Sequence, residues 1–338
     1  MKRSVLAAAL VAAVLAAPAL ANDSTAELAA GGLVLTRTDA IEMKSEDLFI
    51  SQDEIRVIYR FLNTSGADVT TRVAFPMPDI GGEDFPFRET AIPNPTDPTN
   101  FLDFKTTVDG RPVKMAVEQK AVAGGVDHTA WLKKRGIPLS LHVDGVADRM
   151  EKLSKADKEQ AVKLGLAVPD ENDDSKPWMT RVLPTWTLKS TFHWEQTFPA
   201  GREIVVEHRY KPAVGISAGT AVGSKGFTTQ PDWPRMRDLY CIDSAFLDAV
   251  GKVKGPGDYP PFNEARIGYI LKTGGNWAKP IGDFRMVIDK GSAKNLVSFC
   301  GSDVKKVSPT RFEIRKTNWT PPRDLGVLIL KPIEYQPE

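Results

Sequence analysis

The sequence is poor in the residues from which metal centres and nucleophilic sites are usually built. Its 338 residues include four histidines and two cysteines. It has no HExxH, no His-x-His, no closely spaced cysteine pair and no Gly-Lys-Ser/Thr phosphate loop. We therefore predict no catalytic residue, no metal and no cofactor, and we favour a non-enzymatic function.

Long apolar runs are also scarce. After Ala21 the sequence has no stretch of about 18 apolar residues, the length that a membrane-spanning helix needs. The one apolar run, residues 4–17, follows Lys2 and Arg3 and precedes the small-x-small pattern of residues 19–21. This arrangement is typical of a secretory signal peptide, with an uncleaved anchor as the alternative. We expect residues 1–21 to be removed after Ala21 and the mature protein to be periplasmic or secreted.

Neither sign of charge is in excess. The formal net charge is +1, from 44 basic and 43 acidic residues. Such a balance gives no overall field that would attract nucleic acid. We therefore expect no nucleic-acid partner. The candidate partner is a protein or glycan in the cell envelope.

Alternating apolar residues predict that the protein is mainly β. In residues 54–61 one side is apolar, with Ile55, Val57, Tyr59 and Phe61, whereas three of the four residues on the other side are charged. A period of two is typical of a half-buried strand. Similar segments recur, separated by turns rich in Pro and Gly. Strands and helices do not alternate along the chain, so a Rossmann-type sheet is not expected.

The periodicity becomes helical near residue 127. Two or three short helices are expected there, and Ser154 is a suitable N-cap. We predict an Ig/VIT-like β-sandwich formed by residues 22–126 and 178–213, interrupted by a helical insertion and linker at residues 127–177. Residues 214–338 are predicted to form a second β-rich unit with a short helix near residues 244–250.

The two cysteines, Cys241 and Cys300, are predicted to form a disulfide, because disulfides are favoured in oxidising compartments. Two free thiols or a catalytic nucleophile are the alternatives.

Aromatic and histidine residues provide the candidate binding site. Trp186 and Trp194 lie eight residues apart on one extended segment, so they face the same side. They belong either to the core or to an exposed platform for a glycan or protein partner. His193 and His208 lie on predicted neighbouring strands, and His208 shares the apolar side of its strand, as a hydrogen-bonded core or interface histidine would.

The segment 231–235 is the best candidate for a recognition element. It carries Trp233 and Arg235 between two prolines. We predict an exposed loop, because loops carry many binding residues.

Several short segments of the chain resemble the domain of unknown function 4424 family of exported bacterial proteins. The resemblance spans nearly the whole mature chain and implies the fold and the export, but no catalytic residue. The segments that carry it are residues 30–33 (AGGL), 75–78 (FPMP), 206–212 (VEHRYKP), 240–241 (YC), 274–277 (GGNW) and 318–321 (NWTP).

The N-terminal half is also similar to the vault/inter-α-trypsin (VIT) domain, a β-sandwich interaction module. The similarity rests on Asn63, the Phe-Pro-x-Pro of residues 75–78, and residues 108–111 and 118–121. The helices after residue 127 depart from that pattern.

These observations together favour an exported, non-enzymatic protein that binds a partner protein or an envelope component. The alternative is an envelope hydrolase or carbohydrate-active enzyme whose site is assembled from residues distant in sequence.

Overall fold

The computed structural model describes residues 23–29, 32–82, 89–170, 181–255 and 257–334, and the predicted signal peptide lies outside these ranges. The described chain is mainly β, as the sequence predicts. Its strands are β1 (Ser24–Ala29), β2 (Gly32–Thr36), β3 (Ile41–Ile50), β4 (Ile55–Asn63), β5 (Val69–Pro76), β6 (Ile80–Gly81), β7 (Thr90–Ala91), β8 (Lys105–Val108), β9 (Arg111–Pro112), β10 (Ala116–Ala123), β11 (Val126–Asp127), β12 (Ala167–Pro169), β13 (Val182–Pro184), β14 (Thr187–Phe198), β15 (Glu203–Tyr210), β16 (Val214–Ser217), β17 (Phe262–Tyr269), β18 (Ile281–Asp289), β19 (Leu296–Phe299), β20 (Lys305–Lys306), β21 (Arg311–Trp319) and β22 (Leu325–Pro332).

The helices are short and lie in two groups. The described α-helices are α1 (Thr129–Lys134), α2 (Val146–Glu151), α3 (Lys155–Lys163), α4 (Trp233–Tyr240) and α5 (Ser244–Lys252), and 3₁₀ turns span Phe227–Thr229 and Lys272–Asn276. The first three lie in the region where two or three short helices are expected. Ser154 caps α3 as expected, since its Oγ accepts a hydrogen bond from Asp157 N at 3.1 Å.

Most described strands belong to three sheets. Sheet A has the order β11-β10-β14-β5-β1-β2, with β6 beside β14. Sheet B has the order β20-β21-β18-β3-β4-β15-β8-β9, and sheet C the order β19-β22-β17-β16-β7. The β3–β18 pair is parallel, and the other strand pairs described are antiparallel.

The main core contains residues from all three sheets. The predicted apolar side of β4 is buried, with exposures of 0–1% at Ile55, Val57, Tyr59 and Phe61. The alternation that predicts this strand therefore also identifies its core face. Strands β14, β17, β18 and β22 contribute further apolar side chains to the same cluster.

Strand β22 is covered on both faces. All six residues from Leu325 to Leu330 are buried, as expected for a continuous apolar run. Val327 and Ile329 face the main core, whereas Leu328 and Leu330 pack in a second cluster with residues of α4 and α5. Helices α4 and α5 thus rest on the outer face of sheet C.

Sheet B combines strands from both ends of the chain. Residues 283–288 of β18 pair with residues 45–50 of β3. The predicted division into two units at residues 213 and 214 stays a prediction, and the hydrogen bonding of sheet B crosses it.

Candidate functional site

A disulfide fastens the end of α4 to the edge of sheet C. Cys241 follows the last residue of α4 and is bonded to Cys300, which directly follows β19, with the two Cα atoms 4.9 Å apart. Ser298 Oγ strengthens this junction by donating a hydrogen bond to Tyr240 O at 2.9 Å. The predicted pairing of the two cysteines is confirmed, and it fixes the position of α4.

A surface cleft of about 480 Å³ lies beside α4. Its apolar walls are formed by Phe227, by Met236 of α4 and by Tyr259. Its polar lining includes Glu264 and Arg266 of β17. We call this depression the α4 cleft. Tyr259 is 68% exposed, so its aromatic ring is available to a ligand at the rim of the cleft.

The polar side chains of the cleft are hydrogen-bonded to one another. Glu264 is 3% exposed, and its carboxylate accepts hydrogen bonds from Thr220 Oγ1 and from Arg266 Nη2. Glu264 and Arg266 are two residues apart on β17 and therefore share a face of sheet C. Arg266 makes no other side-chain hydrogen bond to the described residues. A guanidinium group has five N–H donors, so several remain for a ligand.

The structure corrects the predicted loop at residues 231–235. Trp233 begins α4, and Pro234 lies in the first helical turn, where proline is favoured because its missing N–H needs no partner. The ring of Trp233 packs edge-on against Phe227, with centroids 5.2 Å apart. Arg235 is exposed on the same helix. Both residues lie on the helix that forms a wall of the α4 cleft, and their binding role stays a prediction.

The cleft also contains Ser217, at the centre of a Gly-Ile-Ser-Ala-Gly sequence, residues 215–219. These letters match the G-x-S-x-G nucleophile elbow, which requires a strand, a sharp turn and then a helix. Here Ser217 ends β16, and the following described residues form turns and bends until the 3₁₀ turn Phe227–Thr229. No histidine of the described residues lines the cleft. The motif therefore lacks both its structural context and its base.

Trp186 and Trp194 are core residues and do not form an exposed platform. Trp186 is 0% exposed and donates from Nε1 to Leu139 O at 2.7 Å, inside the cluster that the helical insertion forms. Trp194 is 4% exposed and belongs to the main core. The sequence left a buried pair and an exposed platform as alternatives. The structure shows the buried pair, so neither ring can contact a partner at the surface.

His208 lies at the centre of a sealed hydrogen-bonded group. Its Nε2 is 3.0 Å from Asp23 Oδ1 and its Nδ1 is 2.8 Å from Thr106 Oγ1. His208 and Asp23 are both 0% exposed, and Thr106 is 3% exposed. The ring of Phe104 stacks on the imidazole with centroids 5.2 Å apart. The order carboxylate, imidazole, hydroxyl is that of a catalytic triad, but a substrate cannot reach a group that is fully buried.

His193 is separate from that group. It lies on β14 of sheet A, on the face turned away from the main core, whereas His208 lies on β15 of sheet B. His193 pairs with Ala74 of β5 and Ala116 of β10 and is half-buried. Partial burial lowers the pKa of His193, and the charge of Arg72 lowers it further. The structure therefore does not bring His193 and His208 into one site.

The described residues contain no cluster of three or more His, Cys, Asp or Glu side chains that could hold a metal ion. None of the helices in this part of the chain combines the length and the apolar character that crossing a bilayer requires.

The sequence of residues 21–328 matches the family described as Domain of unknown function (DUF4424). The chain belongs to this family. The first of the two resemblances is therefore confirmed, whereas the similarity to the VIT domain stays a prediction. The family's description names no activity, and no curated protein sequence gives a significant match.

The chain is also matched to a solved structure from Legionella pneumophila, strain Philadelphia 1, that is provisionally described as a nutrient-binding protein. The match has a TM-score of 0.43 and 13% sequence identity, and it covers 92% of this chain and 70% of the other.

Proposed function

We propose that this protein is an exported, non-enzymatic binding protein that holds a partner protein or an envelope component through the α4 cleft. The observation that carries the proposal is the composition of the cleft. An exposed Tyr259 and the apolar walls Phe227 and Met236 stand beside Arg266. Tyrosine, methionine and arginine are enriched in interfaces, and tyrosine and arginine are frequent among the residues that dominate binding energy.

The polar part of the cleft is organised before any ligand arrives. The bond to Glu264 fixes the orientation of Arg266, whose side chain stays 22% exposed. A fixed guanidinium loses little conformational freedom on binding and can contact a carboxylate group through two parallel hydrogen bonds. The cleft is therefore suited to hold one polar group of a ligand next to an apolar one.

Catalysis in the cleft would need a group that transfers protons to or from the substrate. Both oxygens of Glu264 accept hydrogen bonds from neighbouring side chains, and the histidine with a carboxylate neighbour, His208, is sealed in the core. These two observations favour binding over hydrolysis.

Two observations support export. The disulfide fits an oxidising compartment such as the periplasm or the extracellular space. The N-terminal sequence has the three parts of a signal peptide, which we propose is cleaved after Ala21.

A capture experiment with matched variants tests the proposal. The immobilised mature protein, R266A and K155A are each incubated with envelope extract, and bound material is identified by mass spectrometry. Lys155 is the control because it lies on α3, outside the cleft lining, and its side chain is 84% exposed. We expect a partner that wild type and K155A retain equally and R266A loses.

Equal retention by R266A would overturn the assignment of the cleft. If nothing binds while a control protein captures its own partner, and a panel of glycosides and esters is hydrolysed, the enzymatic alternative replaces the proposal.

A further inference from the structure

A second depression, of about 460 Å³, lies on the outer face of sheet B. Phe49, Arg56, Arg285, Ser308 and Arg311 are among its lining residues. We call it the arginine depression. It shares no lining residue with the α4 cleft, so it is a separate candidate site.

The strand register explains why these residues converge. Phe49 of β3 lies opposite Arg56 of β4 on one side and Val287 of β18 on the other. The guanidinium carbons of Arg56 and Arg311 lie 5.9 Å and 5.7 Å from the centre of the Phe49 ring. These are cation–π distances, and they hold two positive groups next to one aromatic ring.

The carboxylates of this face neutralise only some of the arginines. Arg285 bonds to Asp47 at 3.1 Å and to Glu313 at 2.8 Å, which compensates its charge. Arg311 donates to Asp289 Oδ2 at 2.8 Å. No carboxylate of the described residues lies within 4.0 Å of the Arg56 guanidinium.

The one carboxylate among the described lining residues is Glu54, and it lies 3.5 Å from Arg209. The described lining of the depression therefore has three guanidinium groups and one carboxylate. Arg285 and Arg311 are paired with carboxylates beside the depression, which leaves Arg56 as the guanidinium whose charge is available to a ligand.

A hydroxyl group adds a neutral donor. Ser308 Oγ accepts hydrogen bonds from the backbone N–H of Arg311 at 3.0 Å and of Thr310 at 3.2 Å. With its acceptor side occupied, its own O–H can donate towards the depression. Arginine forks and hydroxyl donors are the groups that bind phosphate and carboxylate oxygens.

We propose that the arginine depression binds an oxyanion, a phosphate or carboxylate group, through Arg56, and that an adjoining apolar part of the ligand contacts Phe49. A phosphate can reach such a site on a free small molecule or on a lipid headgroup, and binding to vesicles distinguishes the two sources.

Titration calorimetry of the folded protein with inorganic phosphate and with phenyl phosphate, at low ionic strength, tests the site. R56Q should weaken phenyl phosphate binding about tenfold or more, the size expected for losing a charge-assisted pair. R60Q is the matched control, because Arg60 lies on the same strand and face but is paired with Glu203 at 3.0 Å. R60Q should change the affinity less than about twofold, because Arg60 does not line the depression.

Two further arms complete the experiment. F49L should remove the preference for phenyl phosphate over inorganic phosphate. Sedimentation with phosphatidylglycerol vesicles then distinguishes the two sources. If the wild type and R60Q co-sediment with the vesicles and R56Q does not, the phosphate belongs to a lipid headgroup. If the wild type binds phenyl phosphate saturably but does not co-sediment, the ligand is a free small molecule. The proposal is overturned if neither probe binds the wild type, or if R60Q and R56Q weaken binding equally.

Discussion

The Asp23 carboxylate lies 3.0 Å from Nε2 of His208, and both side chains are completely buried. The Trp277 indole also donates to the backbone oxygen of Asp23 at 2.8 Å. The first described residue of the chain is therefore bonded to the centre of the main core, next to a histidine 185 positions away.

The pH dependence of stability should report this pair. Burial raises the pKa of Asp23 above its usual value of 3.8, and the neighbouring His208 offsets only part of that rise. Between the unfolded and the folded pKa the folded state binds more protons, so this contribution to stability is present at low pH and is lost as pH rises. D23N cannot ionise and should remove it. In urea unfolding over a pH series, the wild type should lose stability relative to D23N as pH rises above about 4. Parallel pH profiles would contradict the assignment.

Removing the imidazole should be costly. H208A leaves the buried Asp23 and Thr106 groups without their shared partner and opens a cavity, so we expect a loss of about 3–5 kcal/mol in the free energy of unfolding. T106V keeps the shape of the side chain and removes one hydrogen bond, so its expected loss is about 1–3 kcal/mol. Urea unfolding at neutral pH measures both. A loss for T106V equal to or larger than that for H208A would show that the imidazole does not organise this group.

The contact of α4 with β22 depends on a glycine. A Cβ at residue 326 would lie 2.9 Å from Leu239 O in α4, so G326A should force the helix away and cost about 1–3 kcal/mol. Gly268 provides the control, because it pairs with Gly326 across the two strands and its Cβ would meet nothing closer than 3.9 Å. Thermal unfolding should show a lower midpoint for G326A than for G268A. Similar midpoints would mean that α4 is not packed as described.

The disulfide should stabilise the fold mainly by restricting the unfolded chain. Cys241 and Cys300 are 59 residues apart, and closing a loop of that size contributes on the order of 4 kcal/mol in the loop-entropy treatment. The double variant C241S/C300S should therefore unfold at lower urea concentration than the oxidised wild type. A reductant should lower the wild-type midpoint and leave that of the double variant unchanged. An unchanged wild-type midpoint after verified reduction would contradict this expectation.

Local periodicity predicts much of the fold, because it records which side of a strand is buried. The alternation in β4 identifies four core residues. The place of His208 on an apolar side favours a hydrogen-bonded core or interface residue, and the structure has it in the core. By the same reasoning residues 101–108 read as one strand, but β8 covers only Lys105–Val108 and leaves residues 101–104 outside it. There the structure has a turn instead, because Asn100 Oδ1 accepts from Phe104 N at 2.7 Å and Asp103 has a φ of 53°.

The cleft is harder to predict, because its residues come together only through tertiary packing. Tyr259 and Arg266 are not among the predicted site residues. Two signals could have identified α4. The apolar residues Trp233 and Met236 have the i, i+3 spacing of a helix face, and Pro234 lies in the first helical turn. The partner of Asp23 cannot be found from local sequence at all, since the pairing depends on how β1 joins sheet A.

The most direct test of binding through the α4 cleft is photo-crosslinking from the position of its most exposed aromatic residue. A benzophenone amino acid replaces Tyr259 in one variant and Lys155, which is exposed and outside the cleft lining, in another. Both variants are irradiated in envelope extract. Binding through the cleft predicts a discrete adduct from position 259 that excess unlabelled mature protein suppresses and R266A abolishes, with none from position 155. The same adducts from both positions, or an adduct that R266A leaves unchanged, would contradict it.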